Sequence, residues 1–133
     1  MDLIYVSYNS EKWIENCFAS VMQSKYDLKS VTIYIVDNNS TDNSVEKLED
    51  LRNKYKNDLR DFVVIKAEKN LGFGKANNLG FSHGTDEIVS FFNIDTELYP
   101  ETLSNLEKDI KESDKTVALW ELRQFPYEHP KMY

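Results

Sequence analysis

Val31-Thr32-Ile33-Tyr34-Ile35-Val36-Asp37-Asn38-Asn39-Ser40-Thr41-Asp42 passes directly from a β-branched run into a cluster of carboxylates, amides and hydroxyls. The run from Val31 to Val36 is nearly continuous in hydrophobicity and does not alternate with polar residues. That pattern suits a strand covered on both faces, as in parallel sheets. The polar cluster then falls at the carboxyl end of that strand.

Working outward, Leu3-Ile4-Tyr5-Val6-Ser7, Phe62-Val63-Val64-Ile65 and Ile88-Val89-Ser90-Phe91-Phe92 read as three more strands, and Val117-Ala118-Leu119-Trp120 as a fifth. Helical spacing fills the gaps between them. Trp13, Ile14, Cys17, Phe18, Val21 and Met22 form one apolar face, and Val45, Leu48, Leu51 and Tyr55 another. Asn77 to Ser82 predicts a third helix. Pro100 suits the first position of a fourth, whose buried stripe is Leu103, Leu106 and Ile110. Strand-helix alternation predicts an open, mostly parallel α/β sheet with helices on both faces. At 133 residues, 41% hydrophobic and 13% aromatic, the chain 1–133 is expected to form one domain with a real core.

Acidic residues outnumber basic ones, 23 to 16, giving a net charge of -7. A surface of that sign repels a phosphate backbone and argues against nucleic-acid binding. A small nucleotide differs, because a metal ion can bridge its phosphates to carboxylates. The single cysteine, Cys17, excludes an internal disulfide, and its apolar neighbours predict a buried thiol in a reducing compartment. No apolar run approaches the length of a membrane span. A cytoplasmic location is expected, with contact at the inner face of the membrane open through further regions. His83 and His129 are isolated and show no zinc spacing. Trp120, Phe125, Tyr127 and Tyr133 crowd the C-terminal end and predict an apolar patch that favours a homo-oligomer.

Open α/β sheets bind ligands beyond the carboxyl ends of their strands. The informative residues are therefore Ser7-Tyr8-Asn9, Asp37-Asn38-Asn39-Ser40, Asn70 with Gly72, and Asn93-Ile94-Asp95. Asp37 can accept hydrogen bonds from a nucleobase imide or a ribose hydroxyl. Equally, Asp37 and Asn38 can form an Asx turn, with Ser40 to Asp42 capping the next helix. On an extended chain Asn93 and Asp95 point to one side, where a hard cation such as Mg²⁺ or Mn²⁺ could sit. The plainer alternative is a solvated polar loop. Between Asn70 and Gly80 the spacing fits neither the dinucleotide nor the phosphate-loop pattern. A Gly-rich turn into a helix remains. Its first amides and Lys75 could face a phosphate, or its glycines could serve only close packing and positive φ angles.

Val6-Ser7-Tyr8-Asn9, Val36-Asp37-Asn38-Asn39-Ser40-Thr41-Asp42, Asn70-Leu71-Gly72-Phe73-Gly74 with Asn77, and Phe92-Asn93-Ile94-Asp95 together resemble the family 2 glycosyltransferases in order and spacing. The look is closest to the rhamnosyltransferase-like branch, which often shows N-x-D where other members show D-x-D. The resemblance covers roughly the first hundred residues. It implies a GT-A fold, Rossmann-like, with a nucleotide-diphosphate-sugar donor, a saccharide acceptor and a divalent metal, Mn²⁺ or Mg²⁺. Transferred to this chain, Tyr8 and Asn9 would border the nucleoside, with Ser7 and Asn39 beside them. Asp37 would hold the base or ribose. Gly72, Lys75 and Asn77 would sit near the donor pocket, and Asn93 would be turned towards ribose or sugar. Asp95 would be the metal ligand. Asn93 in place of a carboxylate removes a charge and lowers the metal affinity to be expected.

The implied reaction is glycosyl transfer with divalent metal assistance, in the inverting sense common in the family. It needs a carboxylate base, which normally lies in a later, acceptor-binding half. Most of that half is missing from 1–133, so no catalytic base is assigned. Glu121 and Glu128 carry no warrant for the role. Two other readings stand beside this one. A nucleotide-sugar-binding module without turnover would bind a donor with Mn²⁺ but release no nucleotide to any acceptor. A signalling receiver domain would also end a strand in an aspartate, but it wants an acidic pair after the first strand, where this chain has Ser7-Tyr8-Asn9.

Overall fold

A computed structural model of the chain describes residues 1–125. Four strands, β1 (Asp2–Ser7), β2 (Thr32–Asp37), β3 (Asp61–Lys66) and β4 (Val89–Asn93), form one sheet in the order β3-β2-β1-β4. Every neighbouring pair is parallel, as the alternation of strands and helices predicts. Helices α1 (Ile14–Met22), α2 (Ser44–Tyr55), α3 (Phe73–His83) and α4 (Thr102–Glu112) follow the four strands in turn.

All residues of β1 and β2 are buried, whereas the edge strands β3 and β4 are only partly so. This is why the run at 31–36 carries no polar alternation: both of its faces are covered. On one face Leu3, Tyr5, Ile33 and Ile35 pack with Ile14, Phe18, Leu48 and Leu103 in the main core. Tyr5, Phe18 and Phe62 meet edge to face there, with ring centroids 5.1 Å apart in each contact. Truncating a ring so enclosed costs about 3–5 kcal/mol. On the other face Val6 and Val36 pack against Ala76 of α3. Gly80 makes that approach close, since a Cβ there would stand 2.8 Å from Ile4 Cγ2.

At the amino ends of the strands lies an ionic cluster. Asp2, fully buried, accepts from Arg60 and from the backbone amides of Thr85 and Asp86. Asp86 in turn accepts from the Met1 ammonium at 2.6 Å and from Arg60 at 2.9 Å. The Asp2 carboxylate is thus paired and hydrogen-bonded, which is the condition for keeping its charge out of water.

Three expectations are corrected. The fifth strand at 117–120 does not form; the segment is irregular, and Val117 N–H instead closes a turn onto the Asp114 carbonyl. Leu119 is 86% exposed, while Trp120 leans on the main core and donates to Ser113 Oγ. Pro100 does not open α4. Its carbonyl accepts from Lys25 N–H at 2.7 Å, and the helix starts at Thr102. Trp13 does not join the buried face of α1 but precedes the helix, 37% exposed, with the Lys12 ammonium 3.9 Å above its ring. Phe125 is exposed; Tyr127, Glu128, His129 and Tyr133 lie outside the described residues. No helix among the described residues is long and apolar enough to cross a membrane.

Candidate functional site

The strand order places the first three strands on one side of the β1–β4 seam and the fourth on the other. The loops leaving β1 and β4 both lead to helices on the main-core face, α1 and α4, while α3 covers the other face. Parallel register brings Ser7 opposite Asp37, and Val6 opposite both Val36 and Asn93. With β1 between them, Asp37 and Asn93 are about 10 Å apart across the sheet.

Asp37 is 2% exposed. One oxygen, Oδ2, accepts from Ser40 N–H at 3.0 Å, so the turn expected after β2 does form on the Asp37 side chain. The other, Oδ1, is buried without a hydrogen-bond partner, and so is the hydroxyl of Ser7. A buried acceptor left unpaired costs about 1–3 kcal/mol. These two stand opposite one another on neighbouring strands at the carboxyl end of the sheet. The N-cap position of α2 is Asn43, which makes no side-chain cap bond; Asp42 just before it accepts from Ser44 N–H through Oδ1 at 3.0 Å.

The loops after β1 and β2 are laced together. Asn9 N–H donates to Ser40 Oγ at 3.0 Å, and Asn9 Oδ1 accepts from Thr41 N–H at 2.8 Å. Ser10 N–H donates to Ser44 Oγ at 2.8 Å, and Glu11 and Asp42 exchange further bonds with the opposite loop. Asn9 and Asn39 have φ of 49° and 67°, a left-handed conformation that asparagine tolerates better than most residues. Tyr8 is half exposed and Asn39 exposed at the rim.

Asn38 ties in the third strand end. Its Nδ2 donates to Asn70 Oδ1 at 3.0 Å and its Oδ1 accepts from Leu71 N–H at 2.7 Å; Asn70 Oδ1 also accepts from Gly72 N–H. Gly72, with φ of 78°, turns the chain into α3. The glycines of this segment serve the two backbone roles weighed above, positive φ and close packing. Gly72 meets the positive φ and Gly80 the close packing, while at Gly72 and Gly74 the space a Cβ would occupy is open. Lys75 is exposed on the first turn of α3. Asn77 is turned onto its own helix, its Nδ2 donating to the Phe73 carbonyl at 3.1 Å.

At the fourth strand end the extended geometry stops at Asn93. Thr96 N–H and Oγ1 both bond to the Asn93 carbonyl, so Ile94 and Asp95 occupy the corners of a turn. Ile94 is buried in the main core while Asn93 and Asp95 are exposed on either side of it. The chain then crosses to α1, where Leu98 N–H donates to Ser20 Oγ. Asp95 thereby comes close enough to Cys17 for its charge to help raise that thiol, after burial itself. Among the described residues no three His, Cys, Asp or Glu side chains gather to hold a metal ion. The donor set here is one exposed carboxylate with one amide. It fits only a hard cation that takes most of its oxygens from a bound phosphate and water.

The lacing residues Asn38, Ser40 and Asn70 were legible in the sequence as polar residues at strand ends, but not as partners in one network. Which of them pair depends on the strand ends that the sheet makes neighbours, and alternation along a strand cannot supply that for a loop.

The sequence profile of "Glycosyl transferase family 2" matches residues 2–131. The poly(ribitol-phosphate) beta-N-acetylglucosaminyltransferase TarS of Staphylococcus aureus is 29% identical over 122 residues, which are 91% of this chain and 20% of that protein. An uncharacterized glycosyltransferase of Nostoc sp. is 27% identical over 114 residues, 86% of this chain and 34% of its own length. The chain therefore spans between a fifth and a third of these relatives. The crystal structure of S. aureus TarS 1-349 in complex with UDP-GlcNAc superposes with a TM-score of 0.74 at 30% identity, over 84% of this chain and 31% of that one. A mannosyltransferase from Pyrobaculum calidifontis, in complex with GDP-Man and Mn²⁺, superposes with a TM-score of 0.80 at 23% identity, over 87% and 33%. The fold is that of the GT-A transferases, and the chain belongs to glycosyl transferase family 2.

Proposed function

We propose that this chain binds a nucleoside-diphosphate sugar across the carboxyl ends of β2, β1 and β4, as the donor-gripping part of a glycosyltransferase. The observation that carries the reading is the unpartnered Oδ1 of Asp37, buried beside the unpartnered hydroxyl of Ser7. A nucleobase N–H or a ribose hydroxyl supplies the missing donor. Tyr8 and Asn39 at the rim would border the nucleoside. Lys75 and the open front of α3 at Gly72 and Gly74 would lie towards the phosphates. Asn77 is kept in the site as a support of α3's first turn, given its bond to Phe73.

Asp95 would hold a divalent cation, Mn²⁺ or Mg²⁺, with Asn93 next to it. When bound, such an ion neutralises the charge that builds on a leaving diphosphate. The chain's own part is to hold one carboxylate at the turn and to keep Ile94 packed beneath it. Transfer to a saccharide hydroxyl with inversion would also need a carboxylate base, and none of the described residues is assigned that role. A uridine donor is the first to test, because TarS, at 30% identity, is solved with UDP-GlcNAc. The rhamnosyltransferase-like expectation rests on Asn93 alone. The similar proteins named here whose sugar is known are N-acetylglucosaminyl and mannosyl transferases.

Calorimetry with UDP, GDP and dTDP, each with and without Mn²⁺, tests the proposal. At least one is expected to bind, with a metal-dependent part that Asp95→Ala abolishes. Absence of binding by all three would refute the nucleotide site, and equal metal dependence in Asp95→Ala would remove that residue from it.

A further inference from the structure

The family resemblance puts Asn9 against the nucleoside, but its hydrogen bonds point elsewhere. Two of its polar groups are used within the protein: the backbone N–H on Ser40 Oγ, and the side-chain Oδ1 on Thr41 N–H, with Thr41 Oγ1 at 3.4 Å. Ser40, held in this way, donates its own N–H to Asp37 Oδ2. Between Asp37 and Ser40 the chain passes through Asn39 at φ of 67°, a left-handed residue that costs roughly 1 kcal/mol and persists only where its neighbours hold it. Asn9 and Thr41 supply that hold.

We infer that Asn9 is a positioning residue for Asp37. By pinning residues 40 and 41 it keeps Ser40 N–H on one oxygen of the Asp37 carboxylate, so that the other oxygen stays free to take a donor from the nucleoside. This rests on the reading of Asp37 as the nucleoside-facing acceptor, and it assigns Asn9 an indirect role in the same site. Asn9 is exposed, so its loss empties no core. Its effect on binding passes through the direction of the neighbouring carboxylate.

The test is a double-mutant cycle on UDP affinity with Mn²⁺, using the chain as it stands. Asn9→Gly removes the carboxamide yet keeps the left-handed backbone available. Its UDP affinity is expected to fall about tenfold, the worth of one well-made hydrogen bond. In an Asp37→Ala background the same change should cost nothing further. Equal losses in both backgrounds, or no loss in either, would overturn the inference, the first outcome meaning a direct contact with the nucleotide. Melting temperatures measured alongside confirm that each variant is folded at the titration temperature. If the unmutated chain binds neither UDP nor GDP, the nucleotide reading fails by itself. The positioning role is then decided by hydrogen exchange of the Ser40 amide: faster exchange in Asn9→Gly supports it, and an unchanged rate refutes it.

Discussion

Ser7 and Asp37 stand opposite one another in the β1–β2 ladder, and each keeps one buried side-chain oxygen without a hydrogen-bond partner. An enclosed polar atom with nothing to bond is a cost the free chain bears. Ser7→Ala is therefore expected to raise the melting temperature slightly while weakening nucleotide binding several-fold. A fall in melting temperature would show that this hydroxyl is bonded in the free protein and would withdraw it from the site.

Asp37→Ala is expected to weaken UDP or GDP binding by about ten- to a hundredfold, the range for a hydrogen bond to a charged group. It also loses the Ser40 bond. Asp37→Asn keeps a carbonyl oxygen for Ser40 and should recover stability without recovering full affinity. Titration of both variants, with thermal melts beside it, separates the two roles of the carboxylate.

Asp86 contributes to acid stability. The Met1 ammonium, through its hydrogen bond above all, and then Arg60 hold this carboxyl down at about 2, against an ordinary 3.8. A folded-state value below the unfolded one means the contribution is complete above about pH 4 and disappears as pH falls towards 2. The melting temperature should drop across that window, and Asp86→Asn should flatten that part of the profile. An identical profile in the variant would move the acid sensitivity elsewhere.

Gly80 and Gly74 lie on the same helix and should respond oppositely to alanine. A methyl at Gly80 meets Ile4 Cγ2 at 2.8 Å and Val36 Cγ2 at 3.4 Å inside the α3–sheet contact. Overpacking of this kind costs about 1–3 kcal/mol, more than the helix propensity alanine gains. At Gly74 the space is open, and alanine should stabilise by about 0.4–1 kcal/mol. Denaturant midpoints of the two variants decide it.

Cys17 should be inert in the folded chain. It is 2% exposed, and burial first, with the charges of Asp95 and Glu97 behind it, pushes its thiol up to about 12. A thiol reagent at neutral pH is expected to label it only on addition of denaturant. Rapid labelling under native conditions would mean that α1 opens from the sheet.

The strands and their parallel arrangement were legible in the sequence because periodicity reports burial directly. The unbroken runs at 31–36 and 3–6 suit strands covered on both sides, as they prove to be, and the order of polar residues after each strand already pointed to the carboxyl end of the sheet. The same logic failed at 117–120, where an apolar run has no partner strand and its amide finds a turn carbonyl instead. Tertiary structure alone decided what each polar side chain does. Asn9 bonds across a gap of about thirty residues, Asn38 clamps the loop before α3, and Asp37 spends one oxygen on its own turn while withholding the other. Hydrogen-bond partners in loops depend on which strand ends the sheet makes neighbours, and no local pattern of residues encodes that adjacency.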